Sequence, residues 1–273
     1  CGLSADGVVT LGRKDLDIVD HAATSERLRS LRPSIVLNTA AYNRVDDAED
    51  NVAATFSVNA YAARHLSRLC EDLGCVLVHF STDYVFGISH SHWPWSENDL
   101  PAPLGVYGAS KLCGEQFVRA YCEKHFIIRT SGLFGFRRDG GASNFVEAIL
   151  RTAQRGGRLR VVNDQTCSPS YTADVADVTA RLLRTQAFGT YHVTNSGQCT
   201  WHDFAIEILR QTGVSAECAA ITSAEYGAKA RRPPFSVLSN AKLVARGIEQ
   251  APPWQDALSR YLERRRLLIA ANP

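Results

Sequence analysis

The sequence predicts an α/β fold, a doubly wound parallel sheet carrying a smaller carboxyl-terminal lobe. Three observations lead there. Apolar runs of strand length alternate with stretches of helical periodicity through the first part of the chain. The run before Ser81 is apolar on both faces, as in a parallel strand covered by helices on either side. After about residue 160 the character shifts to shorter, loop-rich segments.

Taken in order, Val8-Val9-Thr10-Leu11 reads as a strand, and Ile35-Val36-Leu37-Asn38 as another. Ala53 to Leu73 has apolar residues at three-to-four spacing and stops at Gly74, the signature of an amphipathic helix with a glycine cap. Val76-Leu77-Val78-His79-Phe80 is the next strand. A helix holding Tyr107 and Lys111 continues from Leu112 to His125, and Phe126-Ile127-Ile128-Arg129 follows as a strand. Asn144 to Arg155 is a helix closed by Gly156-Gly157. Beyond it come a helix over Thr200 to Thr212, short segments at Ala219-Ala220-Ile221 and Val237-Leu238, and a charged helix from Trp254 to Ile269. Residues 1–160 are expected to form one domain and 161–273 mainly the second lobe, with one excursion back to the first.

Composition narrows the classes. The 273 residues carry a net charge of +2, which gives no argument for nucleic acid or a membrane surface. No apolar run approaches the ~20 residues of a membrane span. The eight cysteines are scattered, with Cys70 and Cys75 the nearest pair. That spacing is neither a redox nor a zinc signature, so buried thiols in a cytoplasmic protein are expected.

Chemistry concentrates at Tyr107-Gly108-Ala109-Ser110-Lys111. Residues four apart share a helix face, so a phenol and an ammonium stand together. The cation is expected to lower the phenol pKa from about 10 towards neutrality, where tyrosine exchanges protons. Ser81 and Thr82 close the apolar strand at its carboxyl end, where open α/β sheets place ligands, and a hydroxyl there can bond a substrate carbonyl.

Ser81-Thr82-Asp83-Tyr84-Val85-Phe86 is followed by Val106-Tyr107-Gly108-Ala109-Ser110-Lys111. Around these lie Leu16-Asp17-Ile18-Val19-Asp20, Asn38-Thr39-Ala40-Ala41-Tyr42, Val45-Asp46-Asp47-Ala48-Glu49 and Asn59-Ala60. Later come Arg129-Thr130-Ser131, Val162-Asn163-Asp164-Gln165 with Pro169, and Arg231-Arg232-Pro233. In this collinear order the chain resembles the extended short-chain dehydrogenase/reductases, and within them the dTDP-4-dehydrorhamnose reductase branch. The resemblance implies a Rossmann-type sheet in residues 1–160 and hydride transfer from NADPH to the C4 ketone of a nucleotide-linked 6-deoxysugar. It makes Tyr107 the general acid, Lys111 the holder of the nicotinamide ribose, and Thr82 the hydrogen-bond donor to the carbonyl. A homodimer is the assembly it suggests.

Further roles follow from matched positions. Gly12-Arg13-Lys14 stands where an acidic residue would grip a ribose 2′-hydroxyl, so Arg13 favours the 2′-phosphate of NADPH, with NADH as the alternative. Asp17 and Ile18 match the segment beside the adenine, and Ala40, Ala41 and Tyr42 the ledge along the cofactor. Asn59 matches an asparagine near the site, where a buried helix amide is the competing reading. Asp83, Tyr84, Asn144, Gln165 and Arg232 are the expected substrate contacts, a guanidinium suiting a diphosphate. Two departures bear on the sugar: Gly132 replaces a family tryptophan after Arg129-Thr130-Ser131, and Asn43 replaces a threonine. No metal ligand is assigned, and magnesium at a family interface stays open.

The amino-terminal residues break the pattern. Gly2, Gly7 and Gly12 do not compose a glycine-rich dinucleotide fingerprint. The sequence therefore leads to the expectation that one strand-turn-helix unit of about 20–30 residues is missing, and with it tight dinucleotide binding. Two other readings stand beside the reductase. One is an epimerase or dehydratase of the same superfamily. The other is a non-catalytic regulatory subunit resembling the partner of methionine adenosyltransferase.

Overall fold

A computed structural model describes residues 7–87, 93–137 and 143–271. Four strands make the main sheet: Ile35–Asn38, Val76–Thr82, His125–Thr130 and Gly189–His192, adjacent in that order and all parallel. Helices cover both faces, which explains why Leu77, Val78, Ile127 and Ile128 are all fully buried. On one face Leu77 and Ile127 pack with Leu66, Leu69 and Val118. On the other, Val78 and Ile128 pack with Val175, Val178 and Leu182. The helix Thr172–Leu183 and the strand Gly189–His192 form the excursion back to this sheet.

Helix ends follow their sequence signals. The helical run from Val52 to Leu73 ends at Gly74, whose φ of 68° turns the chain so that the Cys75 N–H reaches the Cys70 carbonyl at 3.0 Å. Within it, Ser57–Tyr61 forms a π turn in which Asn59 and Ala60 are buried. Asn144 caps Phe145–Gln154, and Thr200 with Asp203 closes a capping box on Trp201–Thr212. A second core joins Val146, Ile149 and Leu150 to Phe204, Trp254, Leu258 and Tyr261, so the helices Phe145–Gln154, Trp201–Thr212 and Trp254–Ala271 share it.

Two expected elements differ. The Tyr107 helix spans Val106–Tyr121 and stops short of His125, which opens the next strand. Cys122 turns extended because the chain must re-enter the sheet there. Val8–Leu11 is not a strand; Val8 and Val9 are 57% and 54% exposed. A parallel strand exists through its neighbour's hydrogen bonds, and among the described residues none flanks the outer side of Ile35–Asn38. Cys1, Gly2, Ser4, Ala5 and Asp6 lie outside the described residues.

Candidate active site

The strand Val76–Thr82 delivers Ser81 and Thr82 to its carboxyl end, and the chain turns at once through Asp83–Val85. Thr82 Oγ1 accepts the Tyr84 N–H at 3.2 Å, which fixes that turn. The Tyr107 helix docks directly against it. A Cβ on Gly108 would lie 2.2 Å from the Tyr84 carbonyl oxygen, so only glycine allows this approach. Gly105 has no capping side chain of its own; Glu49 Oε1 accepts the Val106 N–H at 2.9 Å instead. The docking brings the Tyr107 ring edge-on to Tyr84 at 5.7 Å and sets its hydroxyl beside Thr82.

The structure therefore unites Thr82, Tyr107 and Lys111, but with electrostatics opposite to the expected ones. Burial pushes the Tyr107 phenol up to about 12; the Thr82 hydrogen bond opposes this and Asp83 adds to it. Lys111 is not among the groups that lower it; its ammonium donates to the Phe80 carbonyl. Burial brings Lys111 itself down to about 8, partly offset by Glu115. Tyr107 is thus a neutral phenol at physiological pH, which is the protonation state that a general acid requires.

Thr82 donates to Asp83 Oδ1 at 3.0 Å while accepting from Tyr84. A hydroxyl has one proton, so Thr82 bonds a carbonyl only after releasing Asp83. Asp83 can bear that loss. It is buried, its carboxyl is raised chiefly by that burial, and it receives a hydrogen bond from Ser131 at 2.8 Å, with Ser236 close by favouring the charged form.

Behind Lys111 lies a buried charge network. Glu115 sits one turn further along the same helix and takes Arg129 in a two-pronged pair at 2.9 and 2.7 Å. Ser81 donates to Glu115 at 2.6 Å, and Arg119 pairs with it at 2.8 Å. Burial alone raises the Glu115 carboxyl, yet Arg129, Ser81 and Arg119 outweigh it and hold it at about 2. Arg129 also lies over Phe86 at 5.0 Å.

These groups wall a cavity of about 380 Å³, within the range of small-molecule sites. Thr82, Asp83, Tyr84, Tyr107 and Gln165 from the expected set line it. Thr130 also lines it, and its Oγ1 is buried without a hydrogen-bond partner among the described residues. Gln165 bonds Ser223 at 2.8 Å. Arg232 lines the adjoining cavity and pairs with Asp46, 186 positions away, at 3.0 and 2.7 Å. Asn144 is used otherwise: it accepts the Glu147 N–H and donates to the Gly135 carbonyl and Tyr261, away from the cavity lining.

The cofactor side is more open. Ala40 and Ala41 are exposed just past Ile35–Asn38, a ledge without bulky side chains. Tyr42 and Asn59 lock together backbone to amide at 2.8 and 3.1 Å, and Asn59 also bonds Ser110 on the Tyr107 helix. Asn59 thus spends its amide on joining the ledge to the catalytic helix. Arg13 is exposed and pairs with Asp17 at 3.5 Å; Ile18 packs with the neighbouring core. The ledge, the buried ammonium of Lys111 and the exposed Arg13 fit a dinucleotide carrying a 2′-phosphate. Among the described residues no cluster of His, Cys, Asp or Glu is arranged to hold a metal.

Three contributors escaped the sequence reading. Glu115 could have been found, since it continues the Tyr107–Lys111 face at the next turn. Trp201 lines the cavity at the start of its helix and packs against Phe145 at 4.8 Å. It supplies an aromatic wall in a cavity where Gly132 supplies none, and its capping box placed it at a helix start. Ser236 carried no sequence signal.

Known proteins resemble this chain in sequence and in fold. The family model for the RmlD substrate binding domain matches residues 3–267. The spore coat polysaccharide biosynthesis protein SpsK of Bacillus subtilis is 37% identical over 94% of this chain and 89% of its own length. The dTDP-4-dehydrorhamnose reductase of Escherichia coli K12 is 35% identical over 90% of this chain and 84% of its own. A crystal structure of dTDP-4-dehydrorhamnose reductase from Bacillus anthracis in complex with NADP superposes with a TM-score of 0.92, at 35% identity over 96% of this chain and 92% of that one. No helix among the described residues is long and apolar enough to cross a membrane. The chain belongs to the RmlD substrate binding domain family.

Proposed function

We propose that this protein reduces the C4 ketone of a dTDP-linked 6-deoxysugar, of the dTDP-4-dehydrorhamnose type, at the expense of NADPH. The observation that carries the reading is the Tyr107 phenol beside Thr82 on the wall of one cavity, with the buried Lys111 one turn behind. When bound, NADPH supplies the hydride that reaches C4. Tyr107 then gives its proton to the oxygen as charge develops there. Thr82, turning from Asp83 to the carbonyl, stabilises the same charge, and both bonds strengthen in the transition state. Lys111 holds the ribose while keeping the Phe80 carbonyl satisfied. Gln165, Tyr84 and Asp83 orient the sugar, and Arg232 takes the diphosphate by exchanging it for Asp46.

The same proposal assigns residues 1–160 to the cofactor and 161–273 mainly to the substrate, with Phe145–Gln154 packing in the second core. It retains the homodimer as the assembly. The free thiols of Cys70, Cys75, Cys122, Cys167 and Cys199 support a cytoplasmic setting. The epimerase and the regulatory subunit are not favoured by relatives named as reductases.

The direct assay mixes the protein with NADPH and dTDP-4-keto-6-deoxysugar and follows NADPH oxidation. Substrate-dependent consumption is the expected result. Absence of consumption, together with co-purification of a partner enzyme, would replace the reductase with the regulatory subunit.

A further inference from the structure

A second cavity, of about 460 Å³, opens beside the helices His21–Leu31 and Ala62–Leu73 and shares no lining residue with the catalytic one. Its walls carry Arg29, Arg64, Arg68, His21 and His65, against the single carboxylate of Asp72. None of the three arginines forms an ion pair among the described residues. Two of them are held in place by aromatic rings: Arg64 lies 5.3 Å from the Tyr121 ring centre and 5.9 Å from that of Phe117, and Arg68 6.0 Å from Tyr121. His21 and His65 stack with ring centres 4.3 Å apart, and Ser25 bonds His65 at 3.0 Å.

The potential in this cavity already acts on its own residues. His65 is held below the usual histidine range by burial first, then by His21, Arg68 and Arg29. Three guanidiniums set against one carboxylate leave an excess of positive charge, and where stacking orders them in advance they attract an anion at little entropic cost. Guanidinium forks match phosphoryl oxygens two at a time. The volume suits a small molecule. A second copy of the chain is a poor occupant, because a two-fold interface would set the same cations against themselves.

We propose that this cavity is a second anion site that binds a small molecule bearing a diphosphate. Arg64 and Arg68 take the phosphoryl oxygens, Arg29 closes the far side, and the stacked imidazoles with Tyr61 form the wall for the remainder of the ligand. The helix Ala62–Leu73 runs on from the turn that holds Asn59, and Asn59 bonds Ser110 on the Tyr107 helix. Occupancy is thereby linked to the catalytic helix through one continuous element.

The test uses inorganic pyrophosphate as the probe on the full chain. Hydrogen exchange should show protection over residues 21–29 and 61–72 when pyrophosphate is added, weakening steeply with added salt. In titration calorimetry, Arg64→Gln/Arg68→Gln should lose roughly tenfold or more in affinity for this site, about 1.4 kcal/mol per tenfold. Arg232→Gln, which alters the other cavity, should leave the protection at 21–29 and 61–72 unchanged. Protection confined to the catalytic cleft, unchanged affinity in the double variant, or a dimer that buries the cavity without pyrophosphate would each overturn the proposal. Should the double variant not fold, the exchange pattern of the unaltered protein decides.

Discussion

Tyr107→Phe is expected to lower kcat by about 10²–10⁴-fold, the usual contribution of a positioned proton donor. The loss should fall on turnover and not on binding. The phenol hydroxyl contacts Thr82, whereas the ledge at Ala40 and Ala41 and the Lys111 ammonium are untouched by the change. Phenylalanine keeps the ring against Tyr84, and Thr82 keeps the Tyr84 N–H and Asp83 as partners, so the fold should persist. Fluorescence titration with NADPH should therefore give a dissociation constant close to that of the unaltered protein. Retention of most of the turnover would remove Tyr107 from the chemistry and leave Asp83 as the next candidate acid.

The largest expected effect on stability belongs to Glu115→Ala. Arg129 is 1% exposed and depends on Glu115 for its two-pronged pair. Removing the carboxylate leaves a buried guanidinium without its counter-charge, a loss that costs about 3–5 kcal/mol. Ser81 and Arg119 lose a partner as well, and Ser81 adjoins Thr82 at the reactive strand end. The urea unfolding midpoint should fall accordingly, and a midpoint unchanged within error would contradict the network. The network also predicts acid sensitivity. The folded Glu115 carboxyl sits at about 2, below its ordinary 4.5, so its stabilisation is complete above pH 4.5. As pH falls from 4.5 through about 2 that stabilisation is withdrawn, because protonation discharges Arg129's partner.

How much of this could be read from the residues depends on what each feature needs. Tyr107 and Lys111 were legible because helical spacing alone puts them on one face. Thr82 was legible because a doubly covered strand must end where the ligand sits. The sign of the Tyr107 shift was not legible. It turns on whether Lys111 points at the phenol or at the Phe80 carbonyl, and on how deeply the phenol is buried. Glu115 and Arg129 look like ordinary surface charges in a sequence, and only packing shows that they are an interior pair. Arg232 and Asp46 are 186 positions apart, so their pairing is a property of the closed cleft. Val8–Leu11 has the composition of a strand, yet a strand is a shared structure and its fate is decided by a neighbour.

In the proposed reaction hydride goes to C4 of the sugar while Tyr107 supplies the proton. Deuterium placed at the transferable position of NADPH follows that hydride. After reaction with dTDP-4-keto-6-deoxysugar, proton magnetic resonance of the product should show deuterium at C4 of the sugar in one configuration, and the Tyr107→Phe variant should form almost none of this product. A sugar product without deuterium at C4, or with net epimerisation and no consumption of NADPH, would contradict the account.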